Sequence, residues 1–151
     1  MFVDLDCKTS RMDLVVPAIV QAGVIDQVFV SVPDVARAVA ARQIDARIRV
    51  QIRPDTLAEL EAALPQFPHR PPEVIEVPTD AIAAFAPRVN ELGSALFANA
   101  FTKDIGVVAQ DAGGEVLDGQ PYLSLYEQGA RILQSEFPGA VLAALGKAGK
   151  R

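Results

Sequence analysis

The sequence has few of the residues on which common active sites are built. One cysteine among 151 residues excludes an internal disulfide and a thiolate-rich metal site. The single histidine, His69, lies in a proline-rich turn, where an exposed loop imidazole is the favoured interpretation. A histidine-dependent catalytic triad therefore has no visible components. A zinc site of histidine and cysteine is excluded by the number of available ligands.

Several other sequence features are missing as well. Thr9-Ser10-Arg11 follows the first predicted strand without a glycine-rich phosphate loop, which disfavours a dinucleotide or P-loop site. No run approaches the ~18 apolar residues of a membrane span. The 14 basic and 19 acidic residues give a net charge of −5, so nucleic acid is not an expected partner. Asp4 and Asp6 stand where a signal peptide would carry basic residues, and a cytoplasmic location is the default expectation.

Short apolar strands alternate with helical segments along the chain. The predicted strands are 2–8, 27–32, 48–52, 73–77, 94–100 and 130–134. The predicted helices are 10–22, 34–43, 55–64, 79–92, 121–128 and 138–145, with caps at Ser10, at Asp55 or Thr56, and at Thr79 or Asp80. Units of about 20–25 residues favour right-handed crossovers and a parallel sheet. We expect one α/β domain over residues 1–151.

Polar side chains recur on one face of these strands. Asp4, Asp6 and Lys8 share one side of the first strand, and Cys7 shares the apolar side, where we expect a small core residue. Further polar strand residues are Arg49, Gln51, Arg53, Glu76, Asn99, Gln134 and Glu136. Polar residues that converge from several strand ends indicate a binding site at the mouth of a parallel barrel.

Two interpretations of Asp6 and Lys8 follow from their residue types. Carboxylates at strand ends are the ligands that magnesium and calcium prefer, and a lysine two residues away would share their face and could hold a phosphate oxygen. Alternatively, Asp6 and Lys8 belong to a buried structural ion network with Arg53. The residues alone leave both interpretations open.

Four segments resemble the glycerophosphodiester phosphodiesterase family. Residues 3–9 (VDLDCKT) are similar to its acid-x-Lys-Thr strand, with Asp6 in place of the usual Glu. Residues 29–32 (FVSV) resemble the next strand, and residues 96–99 (LFAN) resemble a Trp-x-x-Asn or Trp-x-Asn strand, with Phe97 in place of Trp. Residues 129–138 (GARILQSEFP) resemble the closing strand, with Ser135-Glu136 in place of Thr-Asp.

The resemblance implies an incomplete (β/α) barrel of TIM type. The family fold has eight strands, and the six strand–helix units here correspond to strands three to eight, without the first two units. Those units carry a His-Arg pair, a Glu-x-Asp pair and a second histidine, which supply acid/base catalysis and most metal ligands. An open barrel exposes strand edges, so we expect an oligomer, a missing N-terminal partner segment, or a chain cut from a longer protein.

The resemblance also implies a function and roles for individual residues. The family hydrolyses glycerophosphodiesters to an alcohol and glycerol 3-phosphate with a divalent metal. By this resemblance Asp6 binds the metal, Mg²⁺ or Ca²⁺, and Lys8 the phosphate. The other expected substrate-site residues are Glu76, Asn99 and Glu136.

Catalytic residues stay unassigned, because the implied histidines are missing from the sequence. We therefore expect the chain to be inactive by itself. Two alternatives stay open: a non-catalytic relative that binds a phosphate or polyol ligand, and an unrelated α/β protein whose strand-end charges form structural ion pairs.

Overall fold

The computed structural model of the protein describes residues 3–106, 108–110, 113 and 116–150. The strands are β1 (Val3–Asp6), β2 (Val28–Ser31), β3 (Arg49–Ile52), β4 (Val74–Val77), β5 (Ala95–Asn99) and β6 (Ile132–Gln134). The helices are α1 (Met12–Gln21), α2 (Val35–Ile44), α3 (Leu57–Ala63), α4 (Ile82–Glu91), α5 (Thr102–Ile105), α6 (Gln120–Gln128) and α7 (Pro138–Lys147). Short 3-10 turns cover Ile25–Gln27, Leu64–Gln66 and Thr79–Ala81.

The described residues form two compact units. The first runs through Glu76 and includes Glu91–Ser94; the second comprises Val77–Asn90 and the described residues from Ala95 onward. In each unit, strands that follow one another along the chain are paired, and every described strand pair is parallel. The predicted alternation of parallel strands and helices is therefore confirmed.

The core of the first unit lies around the central strands. All side chains of β2 are buried, and so are those of β4 up to Glu76, as expected for parallel strands that are covered on both faces. Met12, Val16 and Ile19 give α1 its buried stripe at helical spacing. The strand β1 is more exposed, and Cys7 just beyond it is half-buried, so it is not the fully enclosed core residue that the parity predicts.

Two helices of the first unit begin with a side-chain cap, and one of these caps, Thr56, is predicted by the sequence. The carboxylate of Asp34 accepts the Arg37 backbone N–H at the start of α2, and the hydroxyl of Thr56 accepts that of Glu59 at the start of α3. The prediction of a cap at Ser10 is wrong, because α1 begins at Met12 without a side-chain cap.

Other boundaries also differ from the predictions. The helix α4 continues through Pro87, although proline usually interrupts a helix. The four-residue helix α5 lies in a segment where the sequence shows no clear helical period. Phe2, which the sequence places in the first strand, lies outside the described residues.

Across the residues that the structure describes, every helix is too short or too polar to cross a bilayer.

Candidate functional site

Strand register brings polar side chains onto one face of the first unit. Asp6 lies opposite Ser31 of β2, and Ser31 in turn lies opposite Gln51 of β3. Residues that are opposite in register point to the same side of a pleated sheet, and residues two apart along a strand share that side. Asp4 therefore joins this face from β1 and Arg53 from the end of β3. The strands therefore turn to this face the same alternate residues that the sequence pattern predicts.

Asp4 and Ser31 form a direct contact between β1 and β2. The Ser31 hydroxyl donates a hydrogen bond of 2.5 Å to Oδ1 of Asp4, and Ser31 is buried. Burial raises the pKa of the Asp4 carboxyl, against the lowering effect of the Ser31 hydrogen bond. The Asp6 charge raises this pKa further, while the charges of Arg53 and Lys8 lower it. The carboxylate thus lies within the electrostatic reach of both cations.

Asp6 and Lys8 form an ion pair on the solvent side of this face. Lys8 Nζ lies 2.7 Å from Asp6 Oδ2, and the two side chains are 77% and 54% exposed respectively. This exposure contradicts the alternative in which both residues belong to a buried ion network with Arg53. The ammonium of Lys8 has three N–H donors, so it can contact an anion while it stays paired with Asp6.

Glu76 lies at the centre of a buried cluster in β3 and β4. Its Oε2 accepts hydrogen bonds from Gln51 Nε2 at 2.6 Å and from Arg53 Nε at 2.8 Å, and Arg53 Nη2 lies 2.6 Å from the same oxygen. Gln51 and Glu76 are 2% and 4% exposed, whereas the Arg53 side chain is 48% exposed. A buried carboxylate therefore holds one edge of a guanidinium group whose other part reaches solvent.

The second unit holds the other two predicted substrate contacts. Glu136 Oε2 accepts the backbone N–H of Thr102 at 3.0 Å and its hydroxyl at 2.8 Å, at the start of α5. The backbone and hydroxyl hydrogen bonds from Thr102 lower the pKa of Glu136. Asn99 ends β5, where its backbone carbonyl accepts the Thr79 hydroxyl at 2.8 Å. In the structure, Glu136 orders the loop that follows β5.

The structure adds Ser31 to this face, and it gives contacts to Asp4, Gln51 and Arg53, which the sequence placed on the polar face without an individual role. All four lie on the polar face of their strands, so strand parity was the available signal. Asp6 was favoured over Asp4 because a motif contains it. The single histidine, His69, is exposed in the loop before β4, as predicted.

A divalent metal has only a partial ligand set in this face. Asp4 and Asp6 are hard oxygen donors, but Asp4 accepts the Ser31 hydroxyl and Asp6 is paired with Lys8. Within the described ranges, no group of three or more His, Cys, Asp or Glu side chains is placed to hold a metal ion. The residues present do not make up a metal site on their own, and metal binding by Asp6 stays a prediction.

Known proteins match this chain by structure, whereas the searches by sequence find no match. No protein-family model and no curated protein matches the sequence. A glycerophosphoryl diester phosphodiesterase structure from Parabacteroides distasonis matches 98% of this chain with a TM-score of 0.81 and 16% identity. A glycerophosphodiester phosphodiesterase structure from the same organism matches 97% of it, with a TM-score of 0.65 and 10% identity.

The chain shares the fold of these phosphodiesterase structures. The predicted fold class, an incomplete (β/α) barrel of TIM type with six strand–helix units, is confirmed by this match. The chain spans 51% and 57% of the lengths of the two matched chains, or about half. At these identities the likeness establishes the fold alone, and a fold hosts many activities.

Proposed function

We propose that the chain is a glycerophosphodiester phosphodiesterase-like protein that binds the phosphate of a glycerophosphodiester at the polar face of its first unit. The observation that carries this proposal is the match of nearly the whole chain to a glycerophosphoryl diester phosphodiesterase structure. Lys8 supports it as a solvent-exposed cation at the end of β1, where the motif resemblance places a phosphate contact. Substrate contacts by Glu76, Asn99 and Glu136 stay predictions.

The paired histidines on which hydrolysis depends in the resembled family are not available in this sequence, which has one histidine. A phosphodiester needs a proton acceptor for the attacking oxygen and a proton donor for the leaving alcohol, and paired histidines perform these tasks in the resembled family. The sequence has one histidine, which lies in an exposed loop. We therefore propose that turnover depends on a further segment or a partner chain that supplies the missing acid/base groups and metal ligands.

The experiment is a pair of measurements on the purified chain. Calorimetric titration with glycerol 3-phosphate is expected to show binding that Lys8→Ala weakens. A coupled assay with glycerophosphocholine and Mg²⁺ or Ca²⁺ is expected to show no turnover. Steady turnover that Lys8→Ala abolishes would contradict the dependence on outside groups, and absence of any binding would contradict the proposed phosphate site.

A second candidate function is non-catalytic binding of a phosphate or polyol ligand. The pairing of Asp6 with Lys8 favours it, because the ammonium group already neutralises this carboxylate and would compete with a metal ion for it. The two candidates differ in their metal dependence. Glycerol 3-phosphate that binds equally well with EDTA and with Mg²⁺ supports the binding module, whereas binding that requires the metal supports the enzyme-like candidate.

A further inference from the structure

Arg53 presents a fixed guanidinium edge to solvent. Its Nε and Nη2 groups lie on the same edge of the planar group, and both contact Oε2 of Glu76. The two N–H groups on Nη1 and the second one on Nη2 have no partner among the described residues. One of the Nη1 N–H groups and the second Nη2 N–H group lie on the adjacent edge, in the fork geometry that matches two oxygens of a phosphate or carboxylate.

The cluster beneath Arg53 holds this edge in place. Oε2 of Glu76 also accepts Gln51 Nε2, so three N–H donors, one from β3 and two from Arg53 just after it, converge on one oxygen of β4. Gln51 and Glu76 are almost fully buried, and their rotamers are restricted by packing. A long arginine side chain that is anchored in this way loses less conformational entropy when it binds a ligand than a free one does.

The orientation of Gln51 indicates that this anchoring has a cost. A carboxylate accepts hydrogen bonds, so the Gln51 nitrogen must face Glu76 and the oxygen must face away. That oxygen is buried and has no hydrogen-bond partner in the part of the chain that the structure describes. An apolar side chain of similar size would avoid this penalty. The Gln51 amide therefore positions Glu76 through its nitrogen, while its unpaired oxygen lowers the stability of the fold.

We infer that Arg53 is the principal anion-binding residue of this face, with Glu76 and Gln51 as its positioning residues. The inference rests on the proposed function for its ligand, the phosphate of a glycerol phosphate. Lys8 comes two residues after Asp6 and Arg53 two residues after Gln51, and Asp6 and Gln51 are both in register with Ser31, so the two cations follow the same end of β1 and β3 on either side of β2. A phosphate group can contact both cations through different oxygens, and the monoester phosphate of glycerol 3-phosphate also carries close to two negative charges near neutral pH. Glu76 then acts on the ligand through Arg53 and not by direct contact.

The test is calorimetric titration of the full chain with inorganic phosphate and, separately, with glycerol 3-phosphate. Arg53→Gln is expected to weaken binding by about tenfold or more, since a charge-assisted bidentate contact is lost. Arg53→Lys keeps the charge but not the fork, so an intermediate affinity is expected. The matched control is Arg47→Gln, which removes an exposed arginine paired with Asp45 and is expected to bind like the wild type.

The Gln51→Met variant tests whether Gln51 positions the Glu76–Arg53 pair or only supports the fold. If Gln51 only supports the fold, this variant lowers the denaturation midpoint and leaves phosphate affinity unchanged. If Gln51 positions the Glu76–Arg53 pair, the midpoint stays or rises while affinity falls, and the same substitution has no further effect on affinity in the Arg53→Gln background. Circular dichroism monitors folding, and if Arg53→Gln does not fold, Arg53→Lys decides.

The outcomes distinguish this inference from the proposed function. Wild-type affinity in both Arg53 variants, with loss in Lys8→Ala, overturns the role of Arg53 and leaves the proposed function standing. Arg53-dependent binding of inorganic phosphate without binding of glycerol 3-phosphate supports the anion site and contradicts the proposed ligand. Absence of binding of either probe to the wild type overturns both.

Discussion

The hydroxyl of Ser31 is hydrogen-bonded to the carboxylate of Asp4 across β1 and β2. Each residue lies on the polar face of its strand, so one contact joins two of the strand ends that the sequence predicted to converge. Asp4 is exposed as a residue, but its carboxyl is partly desolvated where it meets Ser31, and this partial desolvation raises its pKa against the lowering effect of the hydrogen bond. The pair therefore links the geometry of the site to the pH dependence of stability.

Asp4→Asn should change how stability depends on pH. Burial raises the pKa of Asp4 above its ordinary value of 3.8, so its contribution to stability is present below 3.8 and is lost as pH rises through the folded-state pKa. Asparagine does not ionise, so the variant keeps its stability as the pH rises. Its free energy of unfolding should therefore increase relative to that of the wild type from acidic to neutral pH. Urea unfolding across this range measures the difference.

The control for Asp4 is Asp13→Asn. The side-chain hydrogen bond from Arg11 lowers the pKa of Asp13, so this variant should lose stability relative to the wild type as pH rises. Parallel pH profiles for Asp4→Asn and the wild type would show that the Asp4 carboxyl is not desolvated in the folded chain.

Glu136→Gln tests the contact with Thr102. Because the Thr102 hydrogen bonds lower the pKa of Glu136 below 4.5, the ionic contribution is present above 4.5 and is lost as pH falls through the folded-state pKa. The wild type should exceed the variant in stability at neutral pH, and the two should converge in acid. Thermal unfolding at several pH values measures this, with Glu127→Gln in α6 as an exposed control; a gap that persists unchanged in acid would refute the contact.

Arg42→Met should destabilise the first unit strongly. Arg42 Nη2 lies 2.6 Å from Glu73 Oε2, and its Nε donates to the Ile48 carbonyl at 2.8 Å, with only 12% of the side chain exposed. Loss of a largely buried charge leaves Glu73 with the Arg70 pair alone, so a cost of about 2–3 kcal/mol is expected. Urea denaturation measures it, and Arg47→Gln should shift the midpoint little. Equal midpoints for all three proteins would disprove the structural role of Arg42.

Gly129→Ala should destabilise the second unit. Gly129 has φ +125°, which L residues rarely adopt, and a Cβ there would lie 2.6 Å from Ala86 Cβ. The strain should cost about 1–3 kcal/mol. Gly139→Ala is the matched control, because a Cβ there meets nothing within 4 Å and should be neutral or raise stability by up to about 1 kcal/mol. Thermal unfolding that ranks the two variants in the opposite order would rule out this packing.

The sequence was sufficient for the fold because its signals are local. Alternating apolar segments, the Thr56 cap and strand parity each depend on near neighbours, and all of them agree with one another. The sequence did not indicate that α1 begins without a cap at Ser10, or that α4 continues through Pro87. At both positions tertiary packing overrides the local preference.

The site was predicted in part for the same reason. Strand parity placed Asp6 and Lys8 on one face, but it could not show that they are exposed or that Arg53 pairs with Glu76 instead. Such pairing depends on register between strands that are more than twenty residues apart, which one sequence does not encode visibly.

The most direct test of the phosphate site is an NMR titration of the isotope-labelled chain with glycerol 3-phosphate. The account predicts that the side-chain Nε–H resonance of Arg53 and the backbone amides at the ends of β1 and β3 shift together with one dissociation constant. Shifts that are confined to other parts of the chain, with Arg53 and Lys8 unaffected, would contradict it.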